Sequence, residues 1–175
     1  MSKEIELCDS MSMASTADGD GCNTPTTTTI TSDGFDALDE AVPGPDEVFI
    51  IRHREHGLVI TLVDGQLQLC TKLSPQGGFH WRCVEKDGWL GFRNSISGTY
   101  IGHDERKKFI ARVSHHKGHE KFCVRPHPKK GGYELLMRHG NELWRMDMGS
   151  DGKTLVETKQ EGATWDFFKT QLPLA

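Results

Sequence analysis

The chain has 175 residues, with 21 Lys and Arg against 25 Asp and Glu, for a formal charge of −4. No apolar run approaches the about 20 residues that a spanning helix needs, and no basic stretch followed by an apolar one opens the sequence, so neither an integral membrane segment nor a secretory signal is predicted. The five cysteines, Cys8, Cys22, Cys70, Cys83 and Cys123, are odd in number and form no CxxC pair, which predicts reduced thiols and a cytoplasmic location.

Residues 1–47 carry eleven acidic residues and one basic residue, Lys3, and include the run Asn23-Thr24-Pro25-Thr26-Thr27-Thr28-Thr29. Such a segment buries too little apolar surface to offset the entropy of ordering, so it is expected to be a disordered acidic Thr-rich tail. Residues 48–175 carry twenty basic residues, fourteen acidic ones and all nine histidines. The near-neutral total therefore hides a tail of −10 and a core of +6. A core of 128 residues is large enough for one domain with its own interior.

Twelve strand-like runs follow in that core: Val48–Arg54, Leu58–Val63, Gln66–Thr71, Phe79–Val84, Trp89–Arg93, Thr99–Gly102, Phe109–Val113, Lys121–Arg125, Tyr133–Arg138, Glu142–Met146, Thr154–Glu157 and Thr164–Lys169. Turn formers such as Asp64-Gly65, Asp87-Gly88 and Gly140-Asn141 separate them, and these residues tolerate the positive φ of tight hairpins. No stretch keeps a helical period. Ile51-Arg52-His53, Phe92-Arg93-Asn94 and Met137-Arg138-His139 repeat one pattern, with arginines 41 and 45 residues apart. Trp81, Phe122 and Trp165 recur with spacings of 41 and 43. Three copies of a four-stranded unit predict an all-β fold, a β-trefoil of twelve strands in three pseudo-threefold repeats. Ile51, Phe92 and Met137 are expected in equivalent buried positions. Trp81, Trp144 and Trp165 are expected in the core, and either Trp89 or Leu90 should face outward.

Gly88-Trp89-Leu90-Gly91-Phe92-Arg93, followed by Gly98-Thr99-Tyr100-Ile101-Gly102, resembles the repeat of fascin-like β-trefoils, the actin-crosslinking-like family. Phe109-Ile110-Ala111-Arg112 and Glu120-Lys121-Phe122 fit its third and fourth strands, and the resemblance is sharpest in this middle copy. It implies a non-enzymatic module that binds actin filaments. Fascins carry four trefoils; this chain has one, so cross-linking would require an oligomer or a second face.

The segment 103–130 is the most heavily charged. Arg106, Lys107, Lys108, Arg112, Lys117, Lys121, Arg125, Lys129 and Lys130 stand against Asp104, Glu105 and Glu120. Such a basic face would attract a filament or another anionic surface. Nucleic acid fits it poorly, because Phe109 and Phe122 read as core rather than as stacking platforms. His115, His116 and His119 would add charge on mild acidification. Their imidazoles could also meet on zinc, nickel or copper, but the segment reads as a hairpin loop without a cysteine or a fourth ligand. At most a weak site is expected there, with no resident metal and no cofactor.

Catalysis is not predicted: there is no nucleophile elbow, His-Glu-x-x-His motif or phosphate loop. The alternatives are a lectin-like, carbohydrate-binding trefoil, for which Asn94 and Asn141 are candidate sugar contacts, or a trefoil of unknown ligand. The Gln-x-Trp repeat of ricin-type lectins is absent, since no glutamine lies two positions before Trp81 or Trp165.

Overall fold

The computed structural model describes residues 38–73 and 78–170. The strands are β1 (Val48–His53), β2 (Val59–Val63), β3 (Gln66–Cys70), β4 (Trp81–Lys86), β5 (Trp89–Asn94), β6 (Tyr100–His103), β7 (Phe109–Val113), β8 (Phe122–Pro126), β9 (Tyr133–His139), β10 (Glu142–Met148), β11 (Leu155–Thr158) and β12 (Trp165–Thr170). Each matches an expected run to within two residues at either end. Among the described residues, a single 3-10 turn, Gly118–Glu120, interrupts the all-β pattern.

Six strands close a ring. β1 pairs with β4, β4 with β5, β5 with β8, β8 with β9, β9 with β12, and β12 returns to β1, all antiparallel. Closure leaves the barrel without a free edge. The remaining strands form three hairpins, β2–β3, β6–β7 and β10–β11, each continuing from the first strand of its repeat. This is a β-trefoil. The tight β2–β3 and β4–β5 turns use the expected pairs: Asp64 and Gly65 have φ of 49° and 73°, Asp87 and Gly88 of 54° and 76°. Two successive positive φ values give the turn whose twist matches a hairpin.

The repeat markers occupy equivalent places. Ile51, Phe92 and Met137 lie in the first strands of the three repeats at 0% exposure. Trp81, Phe122 and Trp165 each open the fourth strand and are equally buried. Phe92 meets both Phe122 and Phe167, with ring centroids 5.7 and 5.8 Å apart, so the core runs continuously through the barrel. Trp81 Nε1 donates to the Ile60 carbonyl at 2.9 Å, which satisfies its one polar atom inside the core. Of the pair Trp89 and Leu90, both are half-buried, and Leu90 is the one packed on the core.

The third residue of the repeat pattern has a local role in two copies. Asn94 Oδ1 accepts the amides of Ile96 and Ser97, and His53 Nδ1 accepts that of His56. Both hold the turn that leads into the hairpin.

The boundary at residue 47 needs correction. The Ala41 amide donates to the Phe167 carbonyl at 2.8 Å, and Glu40 forms a bridge with Phe168. Asp46 and Glu47 flank β4 through bonds to both backbone groups of Cys83, and Glu47 pairs with Lys169. Leu38 and Ala41 pack on the core. The folded unit therefore begins no later than Leu38; composition missed it because two acidic residues in this stretch, Glu40 and Glu47, lie against Arg54 and Lys169. The rest of the expected tail, residues 1–37, lies outside the described residues.

Candidate functional site

The second and third repeats meet where the β6–β7 and β10–β11 hairpins are joined. Lys108 bridges Val156, and the Glu157 amide donates to the Lys107 carbonyl at 3.0 Å. A one-residue bulge between Tyr100 and Gly102 shifts the β6–β7 register, and His103 ends β6 beside this seam. Bulges commonly re-aim a side chain in this way. His139 arrives from the end of β9 and Glu157 from β11.

These three converge. His103 Nδ1 lies 2.9 Å from one Glu157 oxygen, and His139 Nδ1 lies 3.1 Å from the other. The Glu157 side chain is 0% exposed, that of His103 8% and that of His139 38%. None of the four facing atoms sits in line for a hydrogen bond with a partner. Burial raises the Glu157 pKa, an effect partly offset by the His139 imidazole, while burial and the neighbouring His119 lower that of His103.

Flat rings brace the cluster. His119 stacks on His103 with centroids 4.4 Å apart, and its Nδ1 lies 3.1 Å from the His103 carbonyl. Trp144 stacks on His139 at 4.0 Å and carries the Lys107 and Lys159 ammonium groups over its face at 5.1 and 4.9 Å. Above the cluster opens a cleft of about 400 Å³, lined by His103, Asp104, Glu105, His119, Arg138 and His139. Its rim is held in place: Asp104 Oδ1 accepts the Arg106 and Lys108 amides at 2.8 and 2.9 Å, and Arg138 Nε donates to the Gly140 carbonyl at 3.1 Å. A second hollow, lined by Tyr100, Arg112, His115 and Lys117, shares His103 and His119 with the first.

The basic residues line several hollows, and Arg112 also lines the one that holds Lys117. Arg106, Lys108 and Arg112 line a cleft with Gln66 and Thr154. Lys130 pairs with Glu161, and the two line a separate hollow beside His53. Lys121 pairs with Asp87, Lys107 lies over Trp144, and Arg125 donates to Glu134 at 2.6 Å. Lys117 precedes the 3-10 turn, and Lys129 is exposed in the β8–β9 turn. Four of the nine thus already face a carboxylate or a ring.

The three loop histidines also part company. His115 and His119 are exposed, but His116 is buried beside Tyr100, with ring centroids 5.5 Å apart, and lies against the bare face of Gly91. Burial holds its pKa below the usual imidazole value, so His116 resists the protonation expected of it. Asn94 is 1% exposed and fully used by the Gly78 carbonyl and the turn amides, whereas Asn141 is exposed. Sequence did not bring His103, His139 and Glu157 together. They come from three strands of two repeats, and no local spacing joins them.

No protein-family model matches the chain, and no curated protein matches it. Solved structures match its fold. A GlcNAcα1-4Gal-releasing endo-β-galactosidase from Clostridium perfringens superposes with a TM-score of 0.61 at 13% identity, over 71% of this chain and 33% of that one. SeviL, solved with asialo-GM1 saccharide, gives 0.59 at 17% identity over 71% of this chain and 98% of its own. The ricin B-like lectin of Macrolepiota procera, solved with lactose, gives 0.53 at 13% identity over 75% and 92%. The chain spans about a third of the endo-galactosidase but nearly the whole of the two smaller proteins. At these identities the likeness concerns the β-trefoil fold alone, and a fascin-like membership is not among the findings.

Proposed function

We propose that the chain is a non-enzymatic carbohydrate-binding module that takes a polar glycan in the His103–His139 cleft. The cleft itself carries the reading. It sets the rings of His119 and His139 beside Glu105 and the fixed polar groups of Asp104 and Arg138, the mix of flat and hydrogen-bonding surfaces that orients a small polar ligand. Two similar folds of comparable length, solved with saccharides, support the same reading. Actin-filament binding, the expectation from the fascin-like resemblance, is the rival. It is weaker because four of the nine basic residues already face partners within the chain. A cytoplasmic location belongs to the proposal as well. Its support is the odd number of cysteines without a CxxC pair.

A glycan array probed with the full chain tests the reading, followed by calorimetry on the best binder. Arg138→Ala should weaken binding roughly 10-fold, about 1.4 kcal/mol. Lys129→Ala with Lys130→Ala should leave it unchanged. A folded chain that binds no glycan but pellets with actin filaments in a salt-sensitive way would replace this reading with its rival.

A further inference from the structure

We propose that His103, His139 and Glu157 form a binding site for one divalent transition-metal ion of the zinc class. Among the described residues, this is the cluster of three potential ligands whose donor atoms all lie within 4.8 Å of one another. Zinc bonds of ~2.1 Å in a tetrahedron place ligand atoms ~3.4 Å apart. The two imidazole nitrogens stand 2.9 and 3.1 Å from the carboxylate oxygens, so small side-chain shifts would seat an ion between them.

The chemistry favours an ion there. Glu157 is a fully buried carboxylate, and among the described residues no Lys or Arg forms an ion pair with it. Its oxygens and the two Nδ1 atoms face one another off the line of a hydrogen bond. Buried polar atoms left this way are costly, and one cation held by both Nδ1 atoms and a Glu157 oxygen would satisfy three of the four. Two imidazoles with one carboxylate suit zinc, cobalt or iron rather than magnesium or calcium, which prefer oxygen throughout. Stacking against Trp144 and His119 holds the ligand rings in position. The fourth coordination position would face the cleft and take water. The loop trio suggested by sequence offers less, because His116 is turned inward against Gly91 and His119 Nδ1 lies against the His103 carbonyl.

The site does not depend on the carbohydrate reading, and its test contains no sugar. The full chain is titrated with Zn²⁺ alone by calorimetry, and with Co²⁺ by visible absorption. One ion per chain is expected, with the intense visible bands of tetrahedral cobalt. His139→Asn and Glu157→Gln should each weaken binding at least about 100-fold, more than loss of an outer hydrogen-bond partner of a ligand costs. His115→Ala should bind as wild type. His139→Asn alters a half-exposed ring, so it carries the test if Glu157→Gln fails to fold by circular dichroism. Wild type that binds Zn²⁺ more weakly than about 1 mM would overturn the site. So would a folded His139→Asn that binds as wild type, or a His115→Ala that abolishes binding.

Discussion

Single side chains explain much of how this barrel tolerates charge. Glu134 on β9 is 5% exposed at its side chain and accepts from Arg125 Nε at 2.9 Å and Arg145 Nε at 2.7 Å. Burial alone would raise its pKa; bonds from Arg145 and Arg125 outweigh that and hold it below the ordinary carboxylate range. A lowered folded pKa means the stabilisation is fully present above the unfolded value near ~4.3 and is lost as pH falls through the folded one. Glu134→Gln should cost roughly 1–3 kcal/mol at pH 7, because it leaves two partly exposed arginines rather than a sealed charge. It should also flatten the acid limb of a stability profile below about pH 4.5. Urea melts from pH 7 to 3 check both, and a mutant that keeps the wild-type acid slope would remove Glu134 from this role.

At the level of strands, the repeat was legible because barrel strands obey a strict geometric rule. Ile51, Phe92 and Met137 recur where each repeat's first strand turns into the core, and all three are fully buried. Truncating any one to Ala should destabilise by roughly 2–5 kcal/mol. Chemical denaturation measures this, and a loss below about 1 kcal/mol at one position would break the equivalence of the repeats. Gly91 shows what the pattern concealed. Its place in Gly88-Trp89-Leu90-Gly91 reads as a family resemblance, but its physical task is to leave room: a Cβ there would lie 2.8 Å from His116 Nε2. Gly91→Ala should cost roughly 1–3 kcal/mol. Adding His116→Ala should recover part of the loss, since contacting sites are not additive. Equal losses in the single and double mutants would show the strain lies elsewhere. The His103–His139–Glu157 cluster was illegible for a related reason. Its convergence depends on the register shift between β6 and β7 and on the seam between two hairpins, neither of which leaves a periodic trace.

Across the whole molecule, charge and fold divide differently from composition. The acidic stretch was expected to end at residue 47, yet residues 38–47 are sewn onto β4 and β12. Removing residues 1–37 should leave the melting temperature nearly unchanged. Removing residues 1–47 should lower it by at least about 5 °C, because several backbone bonds worth about 1 kcal/mol each are lost. Two equally stable truncations would return the boundary to Val48. The basic segment is contiguous in sequence, and its residues line more than one cleft. What the trefoil does bring together is a set of rings and fixed polar groups at one junction of two repeats. Amide chemical-shift mapping with the best glycan from the array tests that junction most directly. Shifts should cluster at residues 103–105, 118–119 and 138–140 and spare residues 127–132. Shifts centred on the Arg82–Asn94 cleft, or on the β8–β9 turn, would contradict the assignment.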